Sequence, residues 1–356
     1  MGNTISVAVV GCGRISKIAH FPALSKIEGV KVKYACDLIL EKAQAMKEKY
    51  PDLIESVITD YKVALADPEV EAVFVLTPNY AHYSVTMDAL HAGKHVMCEK
   101  PITVNYALSL EMAKEAEKQG KILNIGVCNR YHASVEKLAE MNRNGEFGNM
   151  YHVYCSFRSF RSIPGLGGDF TTKSQSGGGV LIDWGIHFLD LILYVLGGAK
   201  LKNVTCDAYS EMAKDMKSYK YVSMWAEDTA NLESGTNDVD DFISGYVRTD
   251  KASISFNGAW AQNLDESDMF VDFLGDKGGA RLSYGKQFKF TNGETLESYT
   301  TDHDIPNMYL REDEDFFVSV KSGEKNRNNI VNILESMKLL DGLYESASKK
   351  SEIEVN

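Results

Sequence analysis

Two aspartates and a histidine interrupt an apolar stretch in the middle of the chain. Asp183, His187 and Asp190 follow a run of three glycines at 177–179. Residues three and four positions apart share one face of a helix, so these side chains would form a single polar stripe. A carboxylate beside an imidazole is costly to bury unless it is paired, and such pairs are typical of proton-transfer sites. The structural alternative is that Asp183 caps the helix and His187 is a hydrogen-bonded core residue.

A glycine-rich turn near the start of the chain has the features of a nucleotide site. It follows a β-branched run at 5–10 that suits a buried parallel strand, and a helical pattern begins at Lys17. Glycines at such a point allow a tight turn and let backbone N–H groups approach a pyrophosphate at the start of the helix. Ser16 replaces the third glycine of the usual pattern, which weakens the motif. The predicted cofactor contacts in this turn are Gly11, Gly13, Arg14 and Ile15.

An acidic residue follows at the distance that a dinucleotide-binding fold requires. Asp37 ends the second predicted strand, at 30–37, and lies 24 residues after Gly13, close to the roughly 20 residues of the dinucleotide-binding pattern. A carboxylate at that position accepts hydrogen bonds from the adenosine ribose hydroxyls. Leu38 and Ile39 come next, with no arginine to receive a 2′-phosphate, so the sequence predicts NAD rather than NADP. The structural alternative is a solvated aspartate at a strand end.

Two more predicted strands end in polar residues. The run at 72–76 ends in Thr77-Pro78-Asn79, and the run at 95–98 ends in Glu99-Lys100-Pro101. Ligands of open α/β sheets bind outside the carboxyl ends of the strands, so a lysine there could hydrogen-bond a substrate hydroxyl. The alternative is a structural Lys–Glu surface pair, and the bond before Pro101 could be cis or trans. The predicted cofactor contacts at these ends are Thr77, Asn79, His82 (which opens the next predicted helix), Glu99 and Lys100.

Composition limits the class of protein. A chain of 356 residues is expected to form two domains. Its 38 Lys and Arg against 50 Asp and Glu give a net charge of −12, which argues against nucleic acid and anionic membranes as partners. The six cysteines are scattered without a C-x-x-C pair, so we expect reduced thiols and a cytoplasmic protein. The sequence shows neither a membrane-length apolar run nor a signal peptide, and its M-G-N-T-I-S start matches a myristoylation pattern by letter only.

The pattern of the chain changes at Asn129. Before it, strands and helices alternate; after it, most runs alternate polar with apolar residues and end at Gly or Asp-Lys. This predicts an α/β protein with a Rossmann dinucleotide-binding domain at 1–128 and an α+β domain at 129–356, whose open sheet is mainly antiparallel. The segment 211–238 lacks a clear period and is interpreted as a lid or an oligomer arm. The predicted substrate contacts are Lys100, Arg130, Tyr131, Arg158, Asp183, Trp184 and His187, with rim or packing roles as the alternative for the arginines and Tyr131.

Four features together resemble one family. They are the G-C-G-R-I-S turn, Asp37, the E-K-P strand end, and the sequence G-G-G-V-L-I-D-W-G-I-H-F-L-D. In this combination the chain resembles the glucose–fructose oxidoreductase, inositol dehydrogenase and rhizopine-catabolism (Gfo/Idh/MocA) family over essentially its whole length. The resemblance implies catalysis by Lys100, Asp183 and His187. It also implies a homo-oligomer (a dimer, tetramer or higher assembly), because the open sheet of the second domain often mediates assembly in this family.

The predicted reaction is reversible hydride transfer between NAD and a secondary hydroxyl of a sugar, a glycoside or a cyclitol such as inositol, including C3 of a glucoside. His187 is the better proton acceptor because an imidazole ordinarily titrates near neutral pH, and Lys100 would stabilise the developing alkoxide; these two roles could be exchanged. One alternative is a reductase for a nucleotide-linked keto-sugar, and another is a non-catalytic NAD-binding regulatory protein. No metal site is predicted, since the sequence has neither H-x-x-x-H nor C-x-x-C spacing.

Overall fold

The computed structural model describes residues 4–355, so Gly2, on which the myristoylation pattern depends, lies outside the described residues. The chain divides into two compact units. The first unit comprises the chain up to Cys128 together with Asn307–Leu334, and the second comprises Asn129–Pro306 together with Glu335–Asn356. The predicted change of domain after residue 128 coincides with the change of unit, but the prediction placed residues 307–334 in the second domain.

The described part of the first unit is built on a six-stranded parallel sheet. The strands are β1 Ile5–Val10, β2 Val30–Cys36, β3 Ile54–Ile58, β4 Ala72–Val75, β5 His95–Glu99 and β6 Leu123–Gly126. Their order across the sheet is β3-β2-β1-β4-β5-β6. The strands are added in one direction from β1 to β3 and in the opposite direction from β4 to β6. A doubly wound sheet binds its ligand at this switch point between β1 and β4, at the carboxyl ends of the strands. This confirms the predicted Rossmann domain.

Helices connect these strands. They are α1 Phe21–Leu24 (preceded by a π-helical turn at Ser16–His20), α2 Leu40–Lys49, α3 Tyr61–Ala66, α4 Asn79–His91 and α5 Tyr106–Gln119. Their ends follow the expected chemistry, because Asp60 and Asn105 accept hydrogen bonds from the first amides of α3 and α5, and Gly120 ends α5 in a left-handed conformation. The fourth helix begins at Asn79, three residues before the predicted His82.

The second unit contains a nine-stranded sheet within its described residues. The strands are β7 Met150–Arg158, β8 Leu201–Tyr209, β9 Phe242–Thr249, β10 Ser253–Ala259, β11 Asp268–Gly275, β12 Gly278–Ser283, β13 Phe288–Asn292, β14 Ser298–Thr300 and β15 Ile353–Glu354. Their order is β14-β13-β12-β11-β7-β10-β9-β8-β15. Only β7 and β10 pair in parallel among these strands, so the predicted, mainly antiparallel sheet is confirmed.

Helices cover one face of this sheet. Within residues 4–355, the remaining helical elements of the second unit are α6 Ala133–Arg143, α7 Lys173–Ser176, a π-helical turn at Leu181–Gly185 continuing into α8 Ile186–Leu196, and 3₁₀ turns at Asp169–Thr171 and Glu227–Thr229. Helix α9 Met308–Ser322 and a 3₁₀ turn at Ile330–Asn332 belong to the first unit, whereas α10 Leu334–Lys349 and a 3₁₀ turn at Cys128–Tyr131 begin at the end of the first unit and continue into the second. Phe157 of β7 stacks on Phe188 of α8 at 4.7 Å between ring centroids. Tyr154 lies three residues before Phe157 in β7, so its side chain is on the opposite face of the sheet; it is 49% exposed, so this second face is open.

Helix α9 packs in the first unit, which corrects the predicted domain limits. Its Phe316 and Phe317 lie 5.5 and 5.9 Å from Phe74 of β4, measured between ring centroids. The amphipathic pattern of residues 308–322 indicates that the helix covers an apolar surface, but it does not specify which of the two sheets provides that surface.

Within residues 4–355, the helical stretch Lys173–Val195 is long and apolar enough to cross a membrane, although the sequence reading found no such run. Because 78% of its apolar window is buried inside the protein, it has the character of a core helix. The segment 211–238 has little regular structure and is tied to residues 161–166, through hydrogen bonds from Val222 N–H to the Arg161 carbonyl (3.0 Å) and from Asn231 N–H to the Leu166 carbonyl (2.9 Å). Its role as a lid or arm stays a prediction.

Candidate active site

The glycine turn after β1 has the shape that a dinucleotide requires. Gly11 has a φ of +101°, and a Cβ there would collide with the Leu76 carbonyl oxygen, so a side chain is excluded. At Gly13 a Cβ would have no described atom within 4 Å, which leaves the backbone open for the close approach of a pyrophosphate. Ser16 is fully buried and donates its hydroxyl to the Gly13 carbonyl at 2.8 Å, so the residue in place of the third glycine closes the turn.

Asp37 is held at the carboxyl end of β2 by two backbone amides. Its Oδ2 accepts the N–H of Cys12 at 2.8 Å, and its Oδ1 accepts the N–H of Ile39 at 2.9 Å. An ionised carboxylate has about four acceptor positions, so both oxygens can still accept ribose hydroxyls. The side chains of Leu38 and Ile39 are 85% and 50% exposed. These aliphatic neighbours offer no charge to a 2′-phosphate.

His82 has a different role from the predicted one. It is buried, with Nδ1 2.7 Å from the Pro101 carbonyl and Nε2 2.9 Å from the Thr77 carbonyl. Burial lowers its pKa. A neutral imidazole has one N–H and can donate to only one of these two carbonyls, so the ring lies between the loops after β4 and β5, inside the fold, instead of facing a cofactor. Thr77 and Asn79 are half-buried and stay candidates for cofactor contact.

Glu99 also points into the protein, which corrects its predicted contact with the cofactor. It is 5% exposed; Oε1 lies 3.1 Å from Nε2 of His20, and Oε2 accepts the backbone N–H of Lys100 at 2.9 Å. A surface pair with Lys100 is excluded by this burial. The Lys100–Pro101 peptide bond is cis. Lys100 is half-buried at the carboxyl end of the strand and remains the candidate for substrate contact.

The polar stripe of the second unit separates into two parts. Asp183 and His187 are half-buried, whereas Asp190 is 1% exposed. Asp190 accepts Nε of Arg130 at 2.8 Å and Nη2 at 2.7 Å, and its Oδ1 also accepts the Ser336 hydroxyl at 2.7 Å. Such a bidentate, buried ion pair is structural.

Arg130, Tyr131 and Arg158 therefore differ from their predicted roles as substrate contacts. Arg130 is held in the ion pair with Asp190, and Tyr131 is 2% exposed, so both are packing residues. Arg158 lies on the open face of the sheet, where its Nε donates to the Ser156 hydroxyl at 3.0 Å, and the adjacent Phe157 faces α8 instead. Trp184 is half-buried beside Asp183 and stays a prediction.

The glycine run caps the helix that carries Asp183 and His187. Asp240 accepts the N–H of Gly179 at 2.8 Å on Oδ1 and that of Leu181 at 2.9 Å on Oδ2. The Tyr344 hydroxyl accepts the Ile182 N–H at 3.2 Å and donates to Oδ1 of Asp240 at 3.0 Å. A carboxylate at a helix N-terminus is favoured by the helix dipole. Asp240 and Tyr344, rather than Asp183, therefore provide the cap.

Several residues of this arrangement were not predicted from the sequence. Besides the two capping residues, Asn129 donates its amide to the His187 carbonyl at 3.3 Å and to the Tyr284 hydroxyl at 3.1 Å. The glycine run was a usable signal, because consecutive glycines before a helix indicate that another part of the chain approaches closely. It could not reveal that this part is Asp240 or Tyr344.

Comparison with known proteins agrees with this fold. Residues 5–127 match a family described as an oxidoreductase family with an NAD-binding Rossmann fold, and residues 135–281 match the GFO/IDH/MocA C-terminal domain. The chain belongs to the Gfo/Idh/MocA oxidoreductase family. Membership confirms the resemblance, the NAD cofactor and the oxidoreductase class; the roles of single residues stay predictions.

Two relatives and one solved structure are similar to this chain over most of their length. The D-glucoside 3-dehydrogenase of Escherichia coli (strain K12) is 30% identical, over 99% of this chain and 97% of that enzyme. The myo-inositol 2-dehydrogenase of Thermotoga maritima is 28% identical, over 89% of each. The structure of levoglucosan dehydrogenase in complex with NADH and levoglucosan superposes with a TM-score of 0.84 over 99% of both chains, at 19% identity, which shows a common fold.

Proposed function

We propose that this Gfo/Idh/MocA oxidoreductase is an NAD-dependent dehydrogenase that oxidises the C3 hydroxyl of a glucoside ring. The observation that carries the proposal is the similarity to D-glucoside 3-dehydrogenase along almost the entire length of both chains. The second candidate substrate is a cyclitol, which the similarity to myo-inositol 2-dehydrogenase favours.

Oxidation of a secondary alcohol releases a hydride and a proton, and the protein must receive the proton. NAD, when bound, accepts the hydride. His187 takes the proton of the hydroxyl, because an imidazole ordinarily titrates near neutral pH. Lys100 donates a hydrogen bond to the same oxygen and stabilises the alkoxide as it forms. Asp183, four residues before His187 on the same helix, binds a neighbouring ring hydroxyl or orients the imidazole.

Isotopic labelling tests the position of oxidation. The wild-type enzyme and the Lys100→Ala variant are assayed for NADH with methyl and aryl glucosides, myo-inositol and a nucleotide-linked sugar. A glucoside with deuterium at C3 should transfer the label to NADH, whereas one labelled at C2 or C4 should not, and Lys100→Ala should abolish the signal. Transfer from C2 or C4, or turnover of the inositol or the nucleotide-linked sugar alone, would refute the proposed substrate.

Replacing Asp37 with alanine is expected to raise the Kd for NAD about 10- to 100-fold, since hydrogen bonds to a charged acceptor contribute about 1.5–3 kcal/mol. The Kd for NADP should rise less, because the lost carboxylate would repel a 2′-phosphate. Calorimetry on the wild type and the variant measures both constants. Replacing the exposed Glu55 with alanine, at the edge strand β3, is the control. Equal affinity of the wild type for NAD and NADP would contradict the role of Asp37.

We further propose that the enzyme works in the cytoplasm as a homo-oligomer joined through the open face of the second sheet. One row of side chains across that face consists of Tyr246, Ser255, Tyr154, Asp272 and Arg281, which face one another on neighbouring strands. Tyrosine and arginine are enriched in protein interfaces, and this row contains two tyrosines and Arg281.

Tyr154→Arg is expected to convert the oligomer into monomers, because it places a bulky charge in the middle of that row. Light scattering after gel filtration measures the mass of each species. Val63 on α3 is exposed to a similar degree (51%, against 49% for Tyr154), so Val63→Arg is the matched control and should leave the mass unchanged. A Tyr154→Arg oligomer of wild-type mass would contradict this interface.

A further inference from the structure

Three buried ionisable residues connect helix α9 to the backbone of Lys100. His20 and Asp313 are 0% exposed, and Glu99 is 5% exposed. Nδ1 of His20 lies 3.1 Å from Oδ1 of Asp313, and Nε2 lies 3.1 Å from Oε1 of Glu99. Since the other Glu99 oxygen accepts the Lys100 N–H at 2.9 Å, hydrogen bonds run without a break from α9 to Lys100.

The chain of hydrogen bonds must hold an additional proton. An ionised carboxylate only accepts, and a neutral imidazole has one N–H, so two ionised partners require the imidazolium. Burial disfavours that charge, but Asp313 and then Glu99 outweigh burial and hold the pKa of His20 well above its ordinary value. Burial opposes the charge of Glu99 too, yet the hydrogen bond from His20 holds the pKa of Glu99 below its ordinary value. Burial raises the pKa of Asp313, whereas its contact with His20 lowers it.

The surroundings are dry and closely packed. The His20 ring lies edge-on to Phe74 at 5.7 Å and to Tyr309 at 6.0 Å between centroids. A Cβ at Gly126 of β6 would lie 3.0 Å from Cδ of Glu99, so the carboxylate packs directly against the backbone of Gly126. Burial raises the pKa of Glu312 on α9 well above its ordinary value, which keeps that neighbour neutral. Charge-assisted hydrogen bonds are strong in such an environment, and their geometry is fixed.

We propose that Asp313, His20 and Glu99 are positioning residues for Lys100, and that α9 thereby completes the catalytic part of the first unit. Glu99 fixes the Lys100 backbone with one oxygen, and His20 holds the other oxygen so that the carboxylate cannot rotate. Asp313 fixes His20 in turn. Asp313 lies more than two hundred positions after Lys100 in the sequence, but its helix α9 belongs to the first unit. The proposed positioning role gives α9 a function in that unit.

Asp313→Asn tests the proposal at the residue of the hydrogen-bonded series that lies farthest from Lys100. We expect kcat to fall about 10- to 100-fold with the Kd for NAD unchanged, because small displacements of a catalytic group have effects of this size. In ¹H–¹⁵N spectra of protein labelled at lysine, the backbone signal of Lys100, assigned by its loss in Lys100→Arg, should shift. Glu314→Gln makes the same charge change at an exposed position of α9 and should alter neither quantity.

Two further measurements separate positioning from packing. Glu99→Gln and Asp313→Asn should give non-additive losses of kcat, since they interrupt one path; additive losses would refute the proposal. In the wild type, ¹⁵N spectra of His20 should show both ring nitrogens protonated at neutral pH, because Asp313 and Glu99 raise the pKa of His20 above its ordinary value. A neutral His20 imidazole at neutral pH would refute the proposal, and this measurement does not depend on a variant that folds.

The kcat measurements rest on the proposed function, whereas the spectroscopic ones do not. A shifted Lys100 signal in Asp313→Asn, without turnover of any glucoside by the wild type, would refute the proposed substrate and support the positioning role. An unmoved Lys100 signal in a folded Asp313→Asn protein would refute the positioning role, whatever the substrate.

Discussion

His187→Ala is expected to lower kcat about 10²- to 10⁴-fold, the usual contribution of a general base, with the Kd for NAD unchanged. His187 is half-buried on the helix of the second unit, whereas the candidate cofactor contacts Gly11, Gly13 and Asp37 belong to the first unit, so the loss should be confined to turnover. Stopped-flow formation of NADH and calorimetry with NAD measure the two quantities.

The dependence of kcat/KM on pH decides between the two possible proton acceptors. If His187 takes the proton, the acid limb of the wild-type profile should disappear in His187→Gln. If that limb persists and is lost in Lys100→Arg instead, the roles of Lys100 and His187 are exchanged. His91→Ala, at the exposed end of α4, is the control for removing a histidine. A His187→Ala enzyme with wild-type kcat would remove His187 from the mechanism.

The nucleotide-binding half was predictable because its signals are local. Gly11, Gly13 and Asp37 each follow a short apolar strand, and in a parallel sheet the ends of such strands meet at one edge. The observed order β3-β2-β1-β4-β5-β6 is one of the doubly wound orders that right-handed crossovers allow. A residue type at a strand end was therefore enough to place it near the cofactor.

The orientation of single side chains was not predictable in the same way. Glu99 and His82 stand at strand and helix ends like their neighbours, but both turn inward, because His20, Asp313 and the carbonyls of Thr77 and Pro101 provide hydrogen bonds there. Arg130 turns inward because Asp190, 60 residues later, offers a carboxylate. Such choices depend on pairs of residues far apart in the chain, and one sequence contains no record of which pairs form.

The glycine run at 177–179 combines a local signal that the sequence shows with contact partners that it does not show. Three consecutive glycines before Asp183 and His187 are typical of a helix start that another segment approaches closely. In the structure, the contact at Gly179 is with the backbone of Asp240, and that at Gly178 is with the hydroxyl of Tyr344. The segment 211–238 ends two residues before Asp240, so the cap also connects that segment to the helix carrying the catalytic candidates.

Gly179→Ala is expected to lower the free energy of unfolding by about 3–5 kcal/mol, with a Tm roughly 10 °C lower. The new Cβ would collide with the Asp240 carbonyl oxygen and lie 2.7 Å from its carbonyl carbon and 2.8 Å from its nitrogen. These are backbone atoms that no rotamer change can move, so either the helix start or the Asp240 segment must shift, and the two amide hydrogen bonds of the cap are lost with it. Thermal unfolding followed by circular dichroism measures the change.

Alanine substitutions at two other glycines serve as comparisons for the loss of stability expected at Gly179. At Gly178 a Cβ would meet the end of the Tyr344 side chain, which can rotate, so Gly178→Ala should cost less than Gly179→Ala. At Gly13 a Cβ would meet no described atom within 4 Å, so Gly13→Ala should keep the wild-type Tm while weakening NAD binding. A wild-type Tm for Gly179→Ala would contradict this expectation. It would mean that the Asp240 backbone can move without loss of stability, so that the cap does not fix the helix that carries Asp183 and His187.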